Sequence, residues 1–403
     1  MTLPELLAEV YDLLDAGFVA PDVLDSCRSA IDEQLPHYAA SDLSIDTLHH
    51  LAKAAVHLAR RDPGWLNGTA GVLVSYCEAG IARLEGEPGM REQVRVSHLH
   101  GYAAELAVME AQRTQADSWL GRSVQHAERA RSTAEQHAPQ WLGHATHILG
   151  TTLLAEACIK ERLPAAERAV EVFSTSIDLM PIEPTMLANE YSLLGSSHFR
   201  VYHLSGDSAA LHEATIANRR AVMWSWDAHP GHAAEAARYL ATCGMILRDE
   251  CEDPMGTALA IEGNSYAALL LASTDRGAAE RHLHHIERDA KAHYDASLRA
   301  RDADLSFLHE YHAVAGAVID QIAQPRDAAY LALRLGAFCR GIAERRGSQR
   351  WGRRALQSYD TFLDYCRGLG WDLHKDLTLL QHYDDASAVR RELRNWVDPF
   401  TGH

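Results

Sequence analysis

The chain has 403 residues, of which 47% are hydrophobic and 23% charged, and its formal net charge is -17 at pH 7. This composition supports a sizeable core, and the acidic excess excludes a protein that binds the phosphate backbone of nucleic acid through many Lys and Arg contacts. No apolar run of 18 residues is present, and the N-terminal segment carries acids where a secretory signal would carry Lys or Arg. We therefore expect a cytoplasmic protein with no nucleic-acid partner and no membrane partner.

The first 90 residues contain about four helical patterns. The segment 61–69 splits these patterns and holds the helix breakers Pro63-Gly64 and Asn67-Gly68. This segment is either a domain boundary or one long turn between hairpins, and the sequence leaves both interpretations open. We assign residues 1–90 to an N-terminal helical segment that could cap a helical array.

Four helical hairpins are predicted after this segment, because apolar residues recur there at the period of an α-helix. The hairpins span residues 92–137, 139–180, 185–226 and 229–272. Pro164 and Pro254 precede helical patterns, where the missing N–H costs nothing. Gly206-Asp207 predicts a tight turn with Asp207 or Ser208 as a helix cap. No alternating run long enough for a sheet occurs, so the predicted fold class is all-α.

The remaining chain also has helical periodicity. Helices are predicted at residues 278–299, 304–322, 326–345, 349–367 and 373–396. We assign residues 91–275 to a repeat region and residues 276–403 to continuing hairpins and a C-terminal cap.

A pair containing a small residue recurs about every 45 residues through the middle of the chain. The pairs are Leu149-Gly150, Leu194-Gly195 and Cys243-Gly244, and they are followed at similar spacing by Ala169, Ala214 and Ala260. Small residues let two helices approach closely, so each pair marks where the helices of one hairpin touch. The pattern predicts an α-solenoid of antiparallel helix hairpins.

Within this repeat the chain resembles the tetratricopeptide repeat (TPR) family. Ala169, Phe173, Ser176 and Pro181 resemble the second helix of such a repeat, and Leu149-Gly150 stands where the first helix has its Leu-Gly step. The next two units keep fewer of these residues: Leu194, Gly195, Ala214, Ala221 and Pro230, then Gly244, Ala260 and Ala267. The family period is about 34 residues, and the period here is longer by about three helical turns.

The resemblance covers roughly residues 90–275 and is strongest to the long-helix variants of Ala- and Arg-rich bacterial proteins. It implies a right-handed superhelix whose concave groove is lined by the first helix of each hairpin. In this family the groove usually holds a peptide or a helix of a partner protein. The resemblance implies a fold and a kind of partner, and it does not imply a ligand.

The side chains predicted to line this groove are polar. The ligand-binding candidates are Arg95, His98, Tyr102, His144, His147, Asn189, Ser192, Ser196, Arg200, Arg238 and Arg248, and Glu105, Thr151 and Met245 lie among them. Arg binds carboxylate in a bidentate manner and Asn pairs with a peptide group, so the groove suits an extended ligand with carboxylates or backbone carbonyls. Alternatively, these residues are polar only because they face solvent.

Two functions are compatible with such a groove. The first is a non-catalytic module that binds a peptide or a partner protein. The alternative is an enzyme of specialised metabolism, which would act on a small molecule in a pocket enclosed by the helices, with His98, Glu105, His147 and Arg200 as its candidate catalytic residues. No nucleophile elbow, phosphate-binding loop or dinucleotide motif is present, so we favour the first function and expect no cofactor.

The 24 histidines raise the question of a metal site. Three groups have helical spacing: His98 with His100, His144 with His147, and the run 282–293, which His309 and His312 could face. No H-E-x-x-H or E-x-x-H motif occurs, however, and His is abundant throughout the chain. We therefore interpret these histidines as surface residues and predict no metal site.

Overall fold

The structure, a computed structural model, describes residues 2–15, 20–85, 87, 89–299 and 304–397. Over these ranges the chain forms seventeen α-helices and no β-strand, which confirms the all-α prediction. The first ten helices are α1 Leu3–Asp15, α2 Pro21–Gln34, α3 Ile45–Arg61, α4 Ala70–Leu84, α5 Met90–Thr114, α6 Asp117–His137, α7 Leu142–Lys160, α8 Leu163–Leu179, α9 Pro184–Ser205 and α10 Ser208–Ser225. The other seven are α11 Pro230–Asp249, α12 Gly256–Leu271, α13 Arg276–Arg299, α14 Ser306–Gln321, α15 Pro325–Arg346, α16 Gln349–Leu369 and α17 Leu377–Val397.

Each predicted hairpin corresponds to two consecutive helices, from α5 and α6 to α11 and α12. Local signals set their ends. Gly206 has φ of 73° and ends α9 in the left-handed region, where glycine is not strained, and the Asp207 side chain then accepts a hydrogen bond from the Ala209 N–H at 3.0 Å. Pro184 and Pro230 occupy first-turn positions, which need no N–H donor.

The chain divides into two compact units, Met1–Ala217 and Asn218–His403, with the division inside α10. The predicted division at residues 90 and 275 concerns sequence repeats and stays a prediction. Successive helices from α1 to α9 and from α11 to α17 pack on their chain neighbours, which is the packing of an α-solenoid. The handedness of the predicted superhelix also stays a prediction.

In the first unit the first helices of successive hairpins also contact one another, in the order α3, α5, α7 and α9. We call these four helices the first-helix layer. Side chains in equivalent positions meet across it, since Arg60 pairs with Glu105, 45 residues later, and His147 with Glu190, 43 residues later. These separations match the period of about 45 residues read from the small-residue pairs.

The segment 61–69 is a turn inside one hydrophobic core. It contains a short 3-10 helix, Pro63–Leu66, whose Trp65 and Leu66 are buried in the same cluster as Leu58 and Leu73 on either side. The Trp65 indole N–H donates to Asp32 Oδ1 at 2.8 Å. The turn interpretation therefore holds, and the segment is not a boundary between cores.

In the second unit the contact between alternate helices is made by α12 and α14, and these are the second helices of their hairpins. Its hydrophobic core runs from Ile261 to Leu393. Side chains again pair at the repeat spacing: the Ser265 hydroxyl lies 3.1 Å from Glu310 Oε1, 45 residues later. None of the helices in the described ranges is long and apolar enough to cross a membrane.

Candidate functional site

The first-helix layer of the first unit brings a row of aromatic and imidazole rings together. His49 Nε2 lies 3.1 Å from His98 Nδ1, and the His98 ring centroid is 4.1 Å from that of Trp141. The Trp141 ring is in turn 4.1 Å from that of His144. The row connects α3, α5 and the start of α7, so the predicted His98 and His144 do share one face.

A cavity of about 390 Å³ lies further along the same layer, and we call it the first-helix cavity. Four apolar side chains form part of its wall: Val108, Met109, Ile148 and Leu193. The polar lining residues are Arg60, Glu105, Gln112, His147, Thr151 and Asn189. All four helices of the layer contribute, so the cavity depends on the stacking of the hairpins and not on any single one.

Glu105 is the buried carboxylate of this cavity. Its side chain is 9% exposed, and one oxygen, Oε2, is paired with the Arg60 guanidinium. The other oxygen, Oε1, is buried without a hydrogen-bond partner among the described residues. His144 Nε2 is 3.8 Å from Oε1, which is too far for a hydrogen bond. A buried acceptor without a partner costs about 1–3 kcal/mol, so this atom favours a ligand that brings a donor.

A second buried carboxylate orients the imidazole of the cavity. Glu190 Oε1 lies 2.5 Å from His147 Nδ1, and the Glu190 side chain is 2% exposed. Its other oxygen, Oε2, is buried and has no hydrogen-bond partner in the described part of the chain. A carboxylate bound to one imidazole nitrogen fixes the ring and leaves the other nitrogen for proton transfer or for ligand binding.

Three histidines of the layer have a pKa lowered by burial. Burial, followed by the charges of His98 and other neighbours, lowers the pKa of His49 to about 3. Burial likewise lowers the pKa of His144 to about 3 and that of His57 to about 4. These three rings are therefore neutral near pH 7, and the Arg60 guanidinium is the cation that lines the cavity.

Two predicted donors of the first unit already bind protein groups. Arg95 is paired with Asp46. Arg200 Nη2 donates to the carbonyl oxygen of Ala157 at 3.1 Å and to that of Cys158 at 3.3 Å, in the last turn of α7, whose carbonyls lack partners within the helix. Arg200 thus stabilises a helix end, and neither arginine lines the first-helix cavity.

The remaining first-unit candidates divide in the same way. Asn189, His147, Thr151 and Glu105 line the cavity. The hydroxyl of Ser196 instead donates within its own helix to the carbonyl of Ser192 at 3.0 Å, and Tyr102 is buried with its ring 5.6 Å from that of His49. Of the four candidate catalytic residues, only Glu105 and His147 lie at the cavity.

Arg238 and Arg248 lie in the second unit. Arg248 Nε donates to Asp249 Oδ1 at 2.6 Å, and its Nη1 lies 3.0 Å from Oδ2 of the buried Asp289. These hydrogen bonds raise the pKa of the Arg248 guanidinium further above its usual value. Arg238 is exposed and lines a separate cavity between α11 and α13.

Sequence reasoning missed Arg60 and Glu190, which hold Glu105 and His147 in place. The repeat offered a signal for both. Arg60 lies 45 residues before Glu105, and Glu190 lies 43 residues after His147, so each is one repeat away from a residue that was identified. Extending the register of the repeat upstream of residue 90 would have found Arg60.

The two histidines of the first pair with helical spacing face different neighbours. His98 faces His49, whereas His100 Nδ1 lies 2.8 Å from His126 Nδ1 in the space between α5 and α6. In the described ranges no group of three or more His, Cys, Asp or Glu side chains could hold a metal ion.

No protein-family model and no curated protein sequence matches the chain. Among solved structures, a circular tandem repeat protein of novel repeat topology aligns over 99% of this chain and 98% of its own length, with 14% identity and a TM-score of 0.26. A de novo designed helical repeat protein aligns over 78% of this chain and 100% of its own length, with 15% identity and a TM-score of 0.15. Scores this low carry no argument, so the fold assignment rests on the helices and their packing.

Proposed function

We propose that the chain is a TPR-like module that binds an extended peptide segment of a partner protein along the first-helix layer of the first unit. The observation that carries the proposal is the unpartnered Oε1 atom of Glu105 in the first-helix cavity. A peptide that places an N–H donor there removes the cost of this buried acceptor. Binding at this site needs no cofactor. The expected cytoplasmic location stays a prediction.

The chemistry of the cavity favours a Lys or Arg side chain of the peptide as the anchor. Its apolar wall suits the methylene stem of such a side chain, and the unpartnered Oε1 of Glu105 suits the charged N–H donors at its end. Asn189 and Thr151, on the same lining, suit the peptide backbone. The preferred ligand is therefore basic, in contrast to the carboxylate-bearing ligand expected from the sequence.

The enzyme alternative keeps support from one observation, the 2.5 Å hydrogen bond between Glu190 and His147 beside the cavity. An imidazole oriented by a buried carboxylate is suited to act as a general base on a small molecule held by Glu105. In this alternative His147 would accept the proton and Glu105 would hold a donor group of the substrate. Turnover then requires His147, whereas binding of a peptide in the first proposal does not.

The test is selection of peptides from a random library on the full chain, followed by affinity measurements on individual peptides by fluorescence anisotropy. We expect selected peptides to share a Lys or Arg. Glu105→Gln removes the charge that this side chain would contact, and it should weaken binding by roughly 10- to 100-fold, which is the range for a charge-assisted hydrogen bond.

Glu110→Gln is the matched control. Glu110 is on the same helix and is also buried, but both of its oxygens accept hydrogen bonds from Arg113, at 2.6 and 2.8 Å. It does not line the cavity, so this variant should keep the affinity of the wild type. Acidic selected peptides, or equal loss in both variants, would contradict the proposal. Chemical conversion of a bound compound by the wild type and not by His147→Gln would favour the enzyme.

A further inference from the structure

A cavity of about 600 Å³ lies in the second unit, between α11 and α13. Its lining residues are Gly231, Ala234, Glu235, Arg238, Leu271, Asp275, Ala278, Arg281, His282 and His285. We call it the α11–α13 cavity. Its volume is within the range of small-molecule sites, and its lining is rich in charged and imidazole groups.

Two guanidinium groups of this cavity, those of Arg238 and Arg281, have no carboxylate within ion-pair distance among the described residues. Their neighbours on α13 differ in this respect. Arg276 is paired with Glu280 and Asp327, and Arg288 donates to Asp289 Oδ1 at 2.9 Å. Two guanidinium groups without an ion pair in the described ranges therefore line this one cavity.

The hydrogen bonds of Asn264 fix the orientation of His282. Asn264 is buried, and its Nδ2 donates to the Ala260 carbonyl at 2.8 Å, so its Oδ1 is the acceptor of the other contact. His282 Nδ1 lies 2.8 Å from this Oδ1 and therefore carries the proton. The Nε2 atom of the ring is then the one that titrates, and it is a donor in the imidazolium form.

The two carboxylates of the lining are placed differently. Asp275 caps α13, because its Oδ1 accepts the hydrogen bond of the Ala278 N–H at 2.9 Å. Glu235 is exposed on α11 and forms no ion pair with either guanidinium group in the described ranges. Neither acid therefore uses the donors of Arg238 and Arg281, which stay available to an external acceptor.

We propose that the α11–α13 cavity binds a small oxyanion, a phosphate or carboxylate group, held between Arg238 and Arg281 with His282 as the third donor. Planar guanidinium groups match the oxygens of phosphate and carboxylate in paired hydrogen bonds, and two of them can clamp one anionic group. This site is independent of peptide binding in the first unit. It gives the chain a small-molecule ligand in addition to a peptide partner.

The electrostatics of His282 provide a direct readout. Burial, followed by the charges of His285, Arg238 and Arg281, lowers the pKa of His282 to about 4. An oxyanion between the two arginines offsets their charge and favours the imidazolium form, so bound anion raises this pKa. Screening by an inert salt at equal ionic strength acts on all exposed charges and gives the baseline.

The experiment is an NMR pH titration of the histidine side chains in the full chain, with inorganic phosphate, with succinate, and with sodium chloride at matched ionic strength. We expect phosphate or succinate to raise the pKa of His282 saturably above the chloride value. Preference between the two anions identifies the class of oxyanion. Arg238→Gln and Arg281→Gln should each weaken the anion affinity by about tenfold.

Two variants serve as controls. Arg288→Gln changes an arginine of the same helix that is already paired, and it should leave the anion affinity unchanged. Glu235→Gln removes a negative charge from the lining and should tighten binding by about twofold to fivefold. A response to phosphate and succinate no larger than that to chloride, or weaker binding in Glu235→Gln, would overturn the proposal.

Discussion

The two cavities differ in which polar atoms lack a partner. In the first-helix cavity the guanidinium of Arg60 is paired, and the unpartnered atom is a carboxylate oxygen of Glu105. In the α11–α13 cavity the carboxylates stand apart from Arg238 and Arg281, and the available atoms are guanidinium donors. Both cavities belong to stacked helix hairpins, so the same architecture is suited to ligands of opposite charge. The fold alone does not decide the ligand.

The hairpin of α11 and α12 and the hairpin of α7 and α8 differ in how closely their helices approach at the recurring glycine. A Cβ added at Gly244 in α11 would lie 2.3 Å from the backbone nitrogen of Ala260 in α12. A Cβ added at Gly150 in α7 would lie 2.7 Å from the ring of Phe173. At Gly244 the backbone of α11 therefore lies against the backbone of α12. At Gly150 the backbone of α7 lies against the Phe173 ring, which is a side chain that can move.

This difference predicts the largest effect. Gly244→Ala should cost about 3 kcal/mol of unfolding free energy, because a backbone neighbour cannot give way, and Gly150→Ala only about 1 kcal/mol. Urea unfolding of each variant measures both. Gly316→Ala and Gly121→Ala are the controls in the two units, since an added Cβ meets nothing within 4 Å at either site, and both should be neutral or stabilising. Equal costs at Gly244 and Gly150 would remove the distinction between the hairpins.

Acid should act more strongly on the first unit than on the second. Burial lowers the pKa to about 3 or 4 for four histidines of the first unit and for two of the second; these are His49, His57, His100 and His144, then His282 and His312. The unfolded chain binds these protons near pH 6.5 and the folded chain does not. Their contribution to stability is therefore complete above about pH 6.5 and is lost as the pH falls towards 4.

Hydrogen exchange measured at pH 7 and at pH 5, corrected for intrinsic exchange rates, tests this order. Amides of α3, α5 and α7 should lose more protection on acidification than amides of α13 and α15. His144→Gln, which cannot titrate, should reduce the pH dependence in the first unit. Earlier loss of protection in the second unit would mean that other groups dominate the acid response.

The smallest effects concern Arg200 and Asn189, which the sequence places in one groove. Arg200→Ala should lower the unfolding free energy by about 1 kcal/mol, because the carbonyls of Ala157 and Cys158 lose their donor, and it should not alter peptide affinity. Asn189→Ala should weaken peptide binding and leave the unfolding free energy unchanged, because Asn189 lines the first-helix cavity. Thermal unfolding and fluorescence anisotropy measured on both variants separate the stabilising role from the binding role. Loss of peptide affinity in Arg200→Ala would mean that Arg200 belongs to the binding site.

Much of the fold could be predicted because helix boundaries depend on neighbours in sequence. The turn at Gly206-Asp207 and the start of α8 at Pro164 follow from backbone constraints of single residues, whereas Pro230 begins α11 and does not close a helix. The cavity was predicted in part. Glu105, His147 and Asn189 were found because helical phase puts them on one face. Arg60 lies before the predicted repeat region, and Glu190 follows Asn189 on the same helix, where neighbouring residues point in directions about 100° apart.

The sequence by itself determined that the chain is helical, that its helices form hairpins, and that side chains meet at a spacing of about 45 residues. Periodicity, proline and glycine act locally, so these features need no knowledge of distant contacts. Only the tertiary structure decided that the guanidinium groups of Arg60, Arg95 and Arg200 already bind protein groups. It also decided that Glu105 keeps one oxygen without a hydrogen-bond partner in the described ranges. The physical reason is that an ion pair requires atoms from different hairpins to lie within about 4 Å, and helical phase does not specify that distance.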